Sequence, residues 1–143
     1  MNSILVVDDE TAICAEFART LEGFGFNVKV AADVESGLSF AEATEYDAIL
    51  VEFNLRSGRR LHPRTGNGLR LVRQLRALGV VAPVVMFTAM EGEFYEAASF
   101  NAGADDFILK TTSIPILVSR LRAHIRRHQQ SLVGKTVLEK VSV

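Results

Sequence analysis

Tyr46-Asp47-Ala48-Ile49-Leu50-Val51-Glu52 is an apolar run that ends in a carboxylate, and it reads as a buried strand delivering that acid to its C-terminal end. Three other stretches have the same form. Ile4-Leu5-Val6-Val7 runs into Asp8-Asp9-Glu10, Val84-Val85-Met86-Phe87 into the hydroxyl of Thr88, and Asp106-Phe107-Ile108-Leu109 into the amine of Lys110. With a further strand over 26–31, five strands are expected, at 3–8, 26–31, 47–52, 83–88 and 106–109. Helical patterns alternate with them over 10–22, 34–43, 67–78, 91–102 and 113–128. Strict alternation of this kind predicts a parallel sheet covered by helices on both faces.

Local signals support the helices. Ile13, Phe17 and Leu21 recur every four residues and mark one face of the first, which Gly23 and Gly25 end. Asp33 is placed to cap the second, accepting from amides of the first turn that have no helical partner. Leu69, Val72 and Leu75 share a face of the third, and Gly103 closes the fourth. Ile114, Leu117, Val118, Leu121 and Ile125 form the buried stripe of the fifth, whose last turn carries Arg126 and Arg127 where the helix dipole favours cations.

Composition bounds the function. A chain of 143 residues, 48% hydrophobic, can build one domain with a full core. Its 16 basic and 17 acidic residues leave a net charge of -1, so no global attraction to nucleic acid or membrane is implied. The single Cys14 cannot form an internal disulfide and is read as a small core residue, which suits a reducing, cytoplasmic setting. No apolar run approaches the roughly 20 residues that span a bilayer. His62, His124 and His128 are not spaced as a metal site.

Two regions interrupt the rhythm. Residues 53–66 hold Asn54, Gly58, Pro63, Gly66 and the four arginines Arg56, Arg59, Arg60 and Arg64, with His62. They are long for a connection in such a fold, where roughly 2–6 residues are usual. This stretch is read as an inserted basic loop, either solvated or folding guanidinium groups over an acidic pocket. Residues 129–143 form a tail or linker after a domain over 1–128, and Val133, Val137, Leu138, Val141 and Val143 give it neither helical nor strand period.

In an open parallel sheet, sites form outside the carboxyl ends of the strands. Asp8, Asp9, Glu52, Thr88 and Lys110 all fall there. Carboxylates brought together repel, so the cluster calls for raised pKa values or a neutralising cation, and oxygen ligands of this kind suit Mg²⁺. A metal or lysine that spreads charge, a hydroxyl donor and an attacking carboxylate are the parts of a phosphoryl-accepting pocket.

These residues resemble a response-regulator receiver domain over about residues 3–128. The resemblance rests on Val6-Val7-Asp8-Asp9-Glu10, the run ending at Glu52, Val85-Met86-Phe87-Thr88-Ala89 and Gly103-Ala104-Asp105-Asp106-Phe107-Ile108-Leu109-Lys110. It implies an α/β, doubly wound (βα)5 fold with a five-stranded parallel sheet, flavodoxin-like. It implies that Asp8 and Asp9 are the acidic pair and that Glu52 stands at the phosphoacceptor position. Thr88, Phe107 and Lys110 would be the switch hydroxyl, the rotating aromatic and the phosphoryl-contacting lysine. A candidate Mg²⁺ would take Asp9, Glu52 and the backbone carbonyl of Asn54.

Three departures qualify these roles. The family's acceptor is aspartate, and Glu52 pushes its carboxyl one methylene further, to where a phosphoryl oxygen would sit. In-line transfer depends on placement, and a misplacement of about 1 Å can lower a rate 10²-fold. Thr111 replaces the proline that usually follows the lysine, and the basic loop replaces a short Pro-containing one, with Asn67-Gly68 in place of Asp-Gly.

The expected function is signal transduction by an atypical receiver, not an enzyme, that is not phosphorylated in the usual way. It would act on a signalling protein or output domain through a fixed or otherwise switched surface. The alternatives are a Mg²⁺-dependent switch phosphorylated on Glu52, and the receiver part of a DNA-binding transcriptional regulator, the tail from Ser131 then being linker and first strand of a further domain. Nothing here resembles a helix-turn-helix reader, so the chain itself is not expected to contact DNA. A homodimer through the fourth helix, fifth strand and fifth helix is common in one branch of the family. Asp105, Asp106, Arg120 and Arg122 are candidates for its charge network, and Phe94 and Phe100 for an apolar surface there.

Overall fold

The computed structural model describes residues 1–56 and 66–141, with the backbone alone for 136–141. Arg59, Arg60, His62 and Arg64 of the basic stretch, and the side chains of Val137, Leu138 and Val141, lie outside the described residues. Strands β1 (Ser3–Val7), β2 (Asn27–Ala31), β3 (Ala48–Val51), β4 (Val84–Thr88) and β5 (Asp106–Leu109) alternate with helices α1 (Thr11–Gly23), α2 (Val34–Ala43), α3 (Asn67–Ala77), α4 (Glu93–Ala102) and α5 (Ile114–Val141). All strand pairs are parallel, in the order β2-β1-β3-β4-β5. This is the doubly wound (βα)5 arrangement of the flavodoxin-like class.

Two cores lie on the two faces of the sheet, and strand alternation sorts the side chains between them. Leu5, Val7, Ile49, Val51, Val84 and Met86 face Val34 of α2, Leu71, Val72 and Leu75 of α3 and Ala102 of α4. Ile4, Val6, Ala48, Leu50, Val85, Phe87 and Ile108 face Leu21 of α1 and Leu117, Val118, Leu121 and Ile125 of α5. Central strands covered on both sides must be apolar throughout, which is why β3 and β4 read as unbroken hydrophobic runs.

Asp33 caps α2 as expected: its Oδ1 accepts from the Ser36 amide at 2.8 Å, and Ser36 Oγ accepts from the Asp33 amide at 3.3 Å. Gly103 ends α4 at φ +116°, a left-handed conformation that a side chain would disfavour. Two expectations are corrected. Of the expected face of α1, Leu21 is buried and Phe17 packs against the same core, but Ile13 is 58% exposed and Cys14 and Ala18 are buried instead. The small Cys14 and Ala18 let the helix approach the sheet, and Ile13 stands one residue round from them. The fifth helix does not stop at 128 but continues to Val141, so residues 129–141 are helical where a tail or linker of neither period was expected.

Candidate functional site

The order β2-β1-β3-β4-β5 puts β1 and β3 side by side at the point where the strand order reverses, the usual position of a site in an open α/β sheet. Val7 is paired with Val51, Val51 with Met86 and Thr88 with Leu109. The residues that follow each strand are therefore level. Backbone bonds carry the register one step further, from the Glu52 amide to the Val7 carbonyl and from the Lys110 amide to the Thr88 carbonyl, each at 2.9 Å. Asp8, Glu52, Thr88 and Lys110 meet as the sequence placed them.

Lys110 is the hub. Its Nζ donates to Asp8 Oδ2 at 2.7 Å and lies 3.6 Å from Glu52 Oε1. The other Asp8 oxygen accepts from the Glu10 amide at 3.1 Å. Glu52 Oε2 accepts from the Phe53 amide at 2.9 Å, and the nearby Thr88 hydroxyl favours the ionised carboxylate. Thr88 is fully buried and its Oγ1 accepts in turn from the Met90 amide at 3.2 Å. Three donors of different kinds, an ammonium, a hydroxyl and a backbone amide, thus converge on Glu52.

The electrostatics follow from burial and from unequal distances. Burial raises the Glu52 carboxyl above its usual range, and it outweighs the Lys110 charge and the Thr88 and Phe53 hydrogen bonds that favour ionisation. For Lys110 burial alone would lower the pKa. The Asp8 hydrogen bond and the charges of Glu52, Asp8 and Glu10 prevail, holding the ammonium above its ordinary value. Both groups are thus raised, Glu52 by burial and Lys110 by its acidic neighbours against burial. Cys14, whose Sγ lies 3.8 Å from the Asp8 carbonyl, is pushed up to about 11 by burial and the nearby Asp8 charge, so it is an inert thiol.

Asp9 is held from another direction. Its side chain is 2% exposed, and its Oδ2 accepts from the Arg56 amide at 3.1 Å, with the Arg56 Nε at 3.8 Å. The Arg56 carbonyl accepts from the Val34 amide at 3.1 Å, tying the start of the basic stretch to the N-terminus of α2. Of the candidate metal ligands, Asn54 has a buried side-chain oxygen with no hydrogen-bond partner. Among the described residues no three His, Cys, Asp or Glu side chains are grouped to hold a metal ion. Asp8, Asp9 and Glu52 each already accept from a protein donor, so a Mg²⁺ ion would have to share or replace those contacts.

Sequence reasoning missed the Phe53 amide, the Arg56 amide and the role of Gly68. Backbone donors leave no mark in side-chain identity. Gly68 left one, in the Asn67-Gly68 pair. A Cβ there would overlap the Glu52 carbonyl and lie 2.8 Å from Phe53 Cα, so glycine lets the first turn of α3 pack directly on the segment that carries Glu52. Phe107 is half-buried and packs against the core of the α3 and α4 face. The residues considered for a dimer network have partners within the chain. Asp105 pairs with Arg76 at 2.7 Å, Asp106 with His124 at 3.0 Å and Arg120 at 3.8 Å, and Arg122 donates to the Phe24 carbonyl at 2.8 Å. Phe94 and Phe100 are 75% and 44% exposed. No helix among the described residues is long and apolar enough to cross a membrane.

Comparison with known proteins agrees with this geometry. The family described as "Response regulator receiver domain" matches residues 4–122. Response regulator MprA of Mycolicibacterium vanbaalenii is 33% identical over 124 residues, covering 87% of this chain and 50% of its own length. The KDP operon transcriptional regulatory protein KdpE of Escherichia coli is 34% identical over 128 residues, covering 90% and 53%. The chain thus spans about half the length of these relatives. Among solved structures, the CheY-like receiver domain protein of Methanospirillum hungatei superposes with a TM-score of 0.80 at 25% identity, covering 92% of this chain and 98% of that one. The BeF3-activated receiver domain of Klebsiella pneumoniae RstA gives 0.78 at 27% identity, covering 87% and 99%. A matched family, full-length curated relatives above 30% identity and the same sheet with its acids at the switch point lead to one conclusion: this chain belongs to the response-regulator receiver domains of two-component signalling.

Proposed function

We propose that this receiver domain signals without ordinary phosphorylation, its Glu52 carboxylate standing in for the group that other receivers acquire. The observation that carries the reading is the convergence of the Lys110 ammonium, the Thr88 hydroxyl and the Phe53 amide on Glu52. Lys110 and Thr88 are the groups that the family resemblance assigns to the phosphoryl oxygens. With their donors already engaged, an incoming phosphoryl group would have to displace the glutamate from its own pocket. A Mg²⁺ ion on Asp9, Glu52 and the Asn54 carbonyl would compete with Arg56 for the Asp9 carboxylate. Output would then be protein contact, with a signalling partner or an output domain in a cytoplasmic setting, and Phe107 would act as packing. The domain proper would be residues 1–128, with the rest of α5 as a connector.

Intact mass after incubation with Mg²⁺ and a small acyl phosphate tests this reading, on the natural chain and on Glu52→Asp. The expected result is no phosphoryl group on the natural chain and one on the variant. A phosphoryl group on Glu52 of the natural chain would overturn it and make the domain a working phosphoryl-accepting switch. Modification of neither would place the loss also in the Arg56 and Thr111 departures.

A second reading concerns the setting of the domain. The relative KdpE is named a transcriptional regulatory protein, and this chain covers 53% of it. On that likeness the chain would be the receiver portion of a transcriptional regulator, with nucleic-acid contact made elsewhere than in residues 1–143.

A further inference from the structure

At the N-terminal end of the sheet, opposite the acid pocket, lies a groove of about 480 Å³. Its walls are the α2–β3 connection (Ala41 to Tyr46), the α3–β4 connection (Leu78 to Ala82), and α5 at His128 and Leu132. The continuation of α5 past Ile125, the last buried residue among its described side chains, supplies that third wall. The volume falls within the roughly 300–1,000 Å³ of ligand sites.

The lining has a definite chemistry. Ile49 and Ala82 are buried at its floor, while Leu78 is 49% exposed, Val81 69% and Leu132 47% around its rim. Exposed apolar side chains gathered round a concavity mark an interaction site more often than a chance cluster. The charged residues of the lining are Glu42 and Glu45, with no Lys or Arg among them. Among the described residues neither carboxylate has an ion pair or a side-chain hydrogen bond, so both are available to a cation. The whole chain is nearly neutral, at -1, so the acidity here is local.

We infer that this groove docks a basic amphipathic helix of a partner protein, its apolar face on Leu78, Val81 and Leu132 and its Lys or Arg residues against Glu42 and Glu45. Charge complementarity selects the occupant: an apolar floor beside two carboxylates that have no ion pair among the described residues is matched by apolar anchors flanked by cations, the helix-in-groove mode of recognition. Tyr46 and His128 supply polar tips at the edges. The surface lies at the opposite end of the strands from Glu52, so it needs no phosphoryl chemistry and stands or falls independently of the reading of the acid pocket.

Amide shifts of the 143-residue chain test the inference during titration with a designed helical peptide of leucine and lysine. A leucine–glutamate peptide of the same pattern serves as control. Shifts should fall in residues 41–46, 78–82 and 125–132 and be absent with the acidic peptide. Val81→Asp, at an exposed position that tolerates charge, and the double variant Glu42→Lys with Glu45→Lys should each weaken binding by about tenfold or more. The inference is overturned if no shifts appear up to about millimolar peptide, a Kd worth only about 4 kcal/mol. It is equally overturned if the shifts map to the acid pocket or the α4–β5–α5 face, if the acidic peptide binds as well, or if dilution of the chain alone reproduces the shifts, which would make a second copy the occupant.

Discussion

Glu52 carries a conflict between solvation and pairing, and the sign of that conflict can be measured. Its carboxyl is raised, so the folded chain takes up a proton at Glu52 before the unfolded chain does. As pH falls from neutral towards the ordinary glutamate value of 4.5, this residue's contribution to stability therefore rises. Glu52→Gln abolishes that contribution and leaves the other titrating groups in place. Urea denaturation of both chains between neutral and mildly acid pH should show the variant at its best relative to the natural chain at neutral pH, with the difference shrinking as pH falls. A difference that grows on acidification would mean that the Lys110 pair outweighs burial. Lys110 has the same sign in a higher window: its raised pKa gives stability that is present below 10.5 and lost only as pH rises through the folded value. Glu52, Asp8, Thr88 and Lys110 were legible in the sequence because a parallel sheet puts every strand end on one side. The Phe53 and Arg56 amides were not, because every residue type but proline carries the same donor.

Helix α3 shows how an element, rather than a residue, sets the geometry of the pocket. Its first turn rests on the backbone that follows β3, with the Gly68 amide donating to the Phe53 carbonyl at 2.9 Å. Asn67 adds a bond from its side-chain amide to the Leu55 carbonyl at 2.7 Å. Gly68→Ala would drive a methyl group into the Glu52 carbonyl and the Phe53 backbone, neither of which can swing aside as a side-chain tip could. We expect a loss of about 2–4 kcal/mol in chemical denaturation. A loss below about 0.5 kcal/mol, within the ordinary range for surface changes, would mean that α3 can shift without penalty. The Asn67-Gly68 pair was visible in the sequence as a variant of a family feature, but only the packing distance explains it. The buried face of α1 was misjudged for a related reason. Ile13 and Cys14 are neighbours and both fit a four-residue spacing, so the period alone does not say which of them is buried.

At the scale of the whole molecule, the alternation of five apolar strands with five helices was readable because burial on both faces leaves no polar positions in the central strands. The end of the last helix was not readable, since a helix that leaves the core no longer needs an amphipathic period. At 28 residues α5 is about 42 Å long, and among its described side chains the last buried one is Ile125. From 129 to 135 every residue is exposed, and the side-chain bond from Gln129 to Asn2 is long at 3.4 Å. Ending the chain after His128 would also leave Arg126, Arg127 and His128 in the last turn, where the helix dipole favours cations. The chain 1–128 should therefore fold alone, within about 1 kcal/mol of the full chain, or a fall in Tm of no more than about 4 °C. Its far-UV circular dichroism should lose only the signal of the removed turns. If 1–128 instead failed to fold, or lost several kcal/mol, the segment beyond His128 would be part of the structural domain. The walls of the groove at the base of the sheet would then be as essential to the fold as the strands above them.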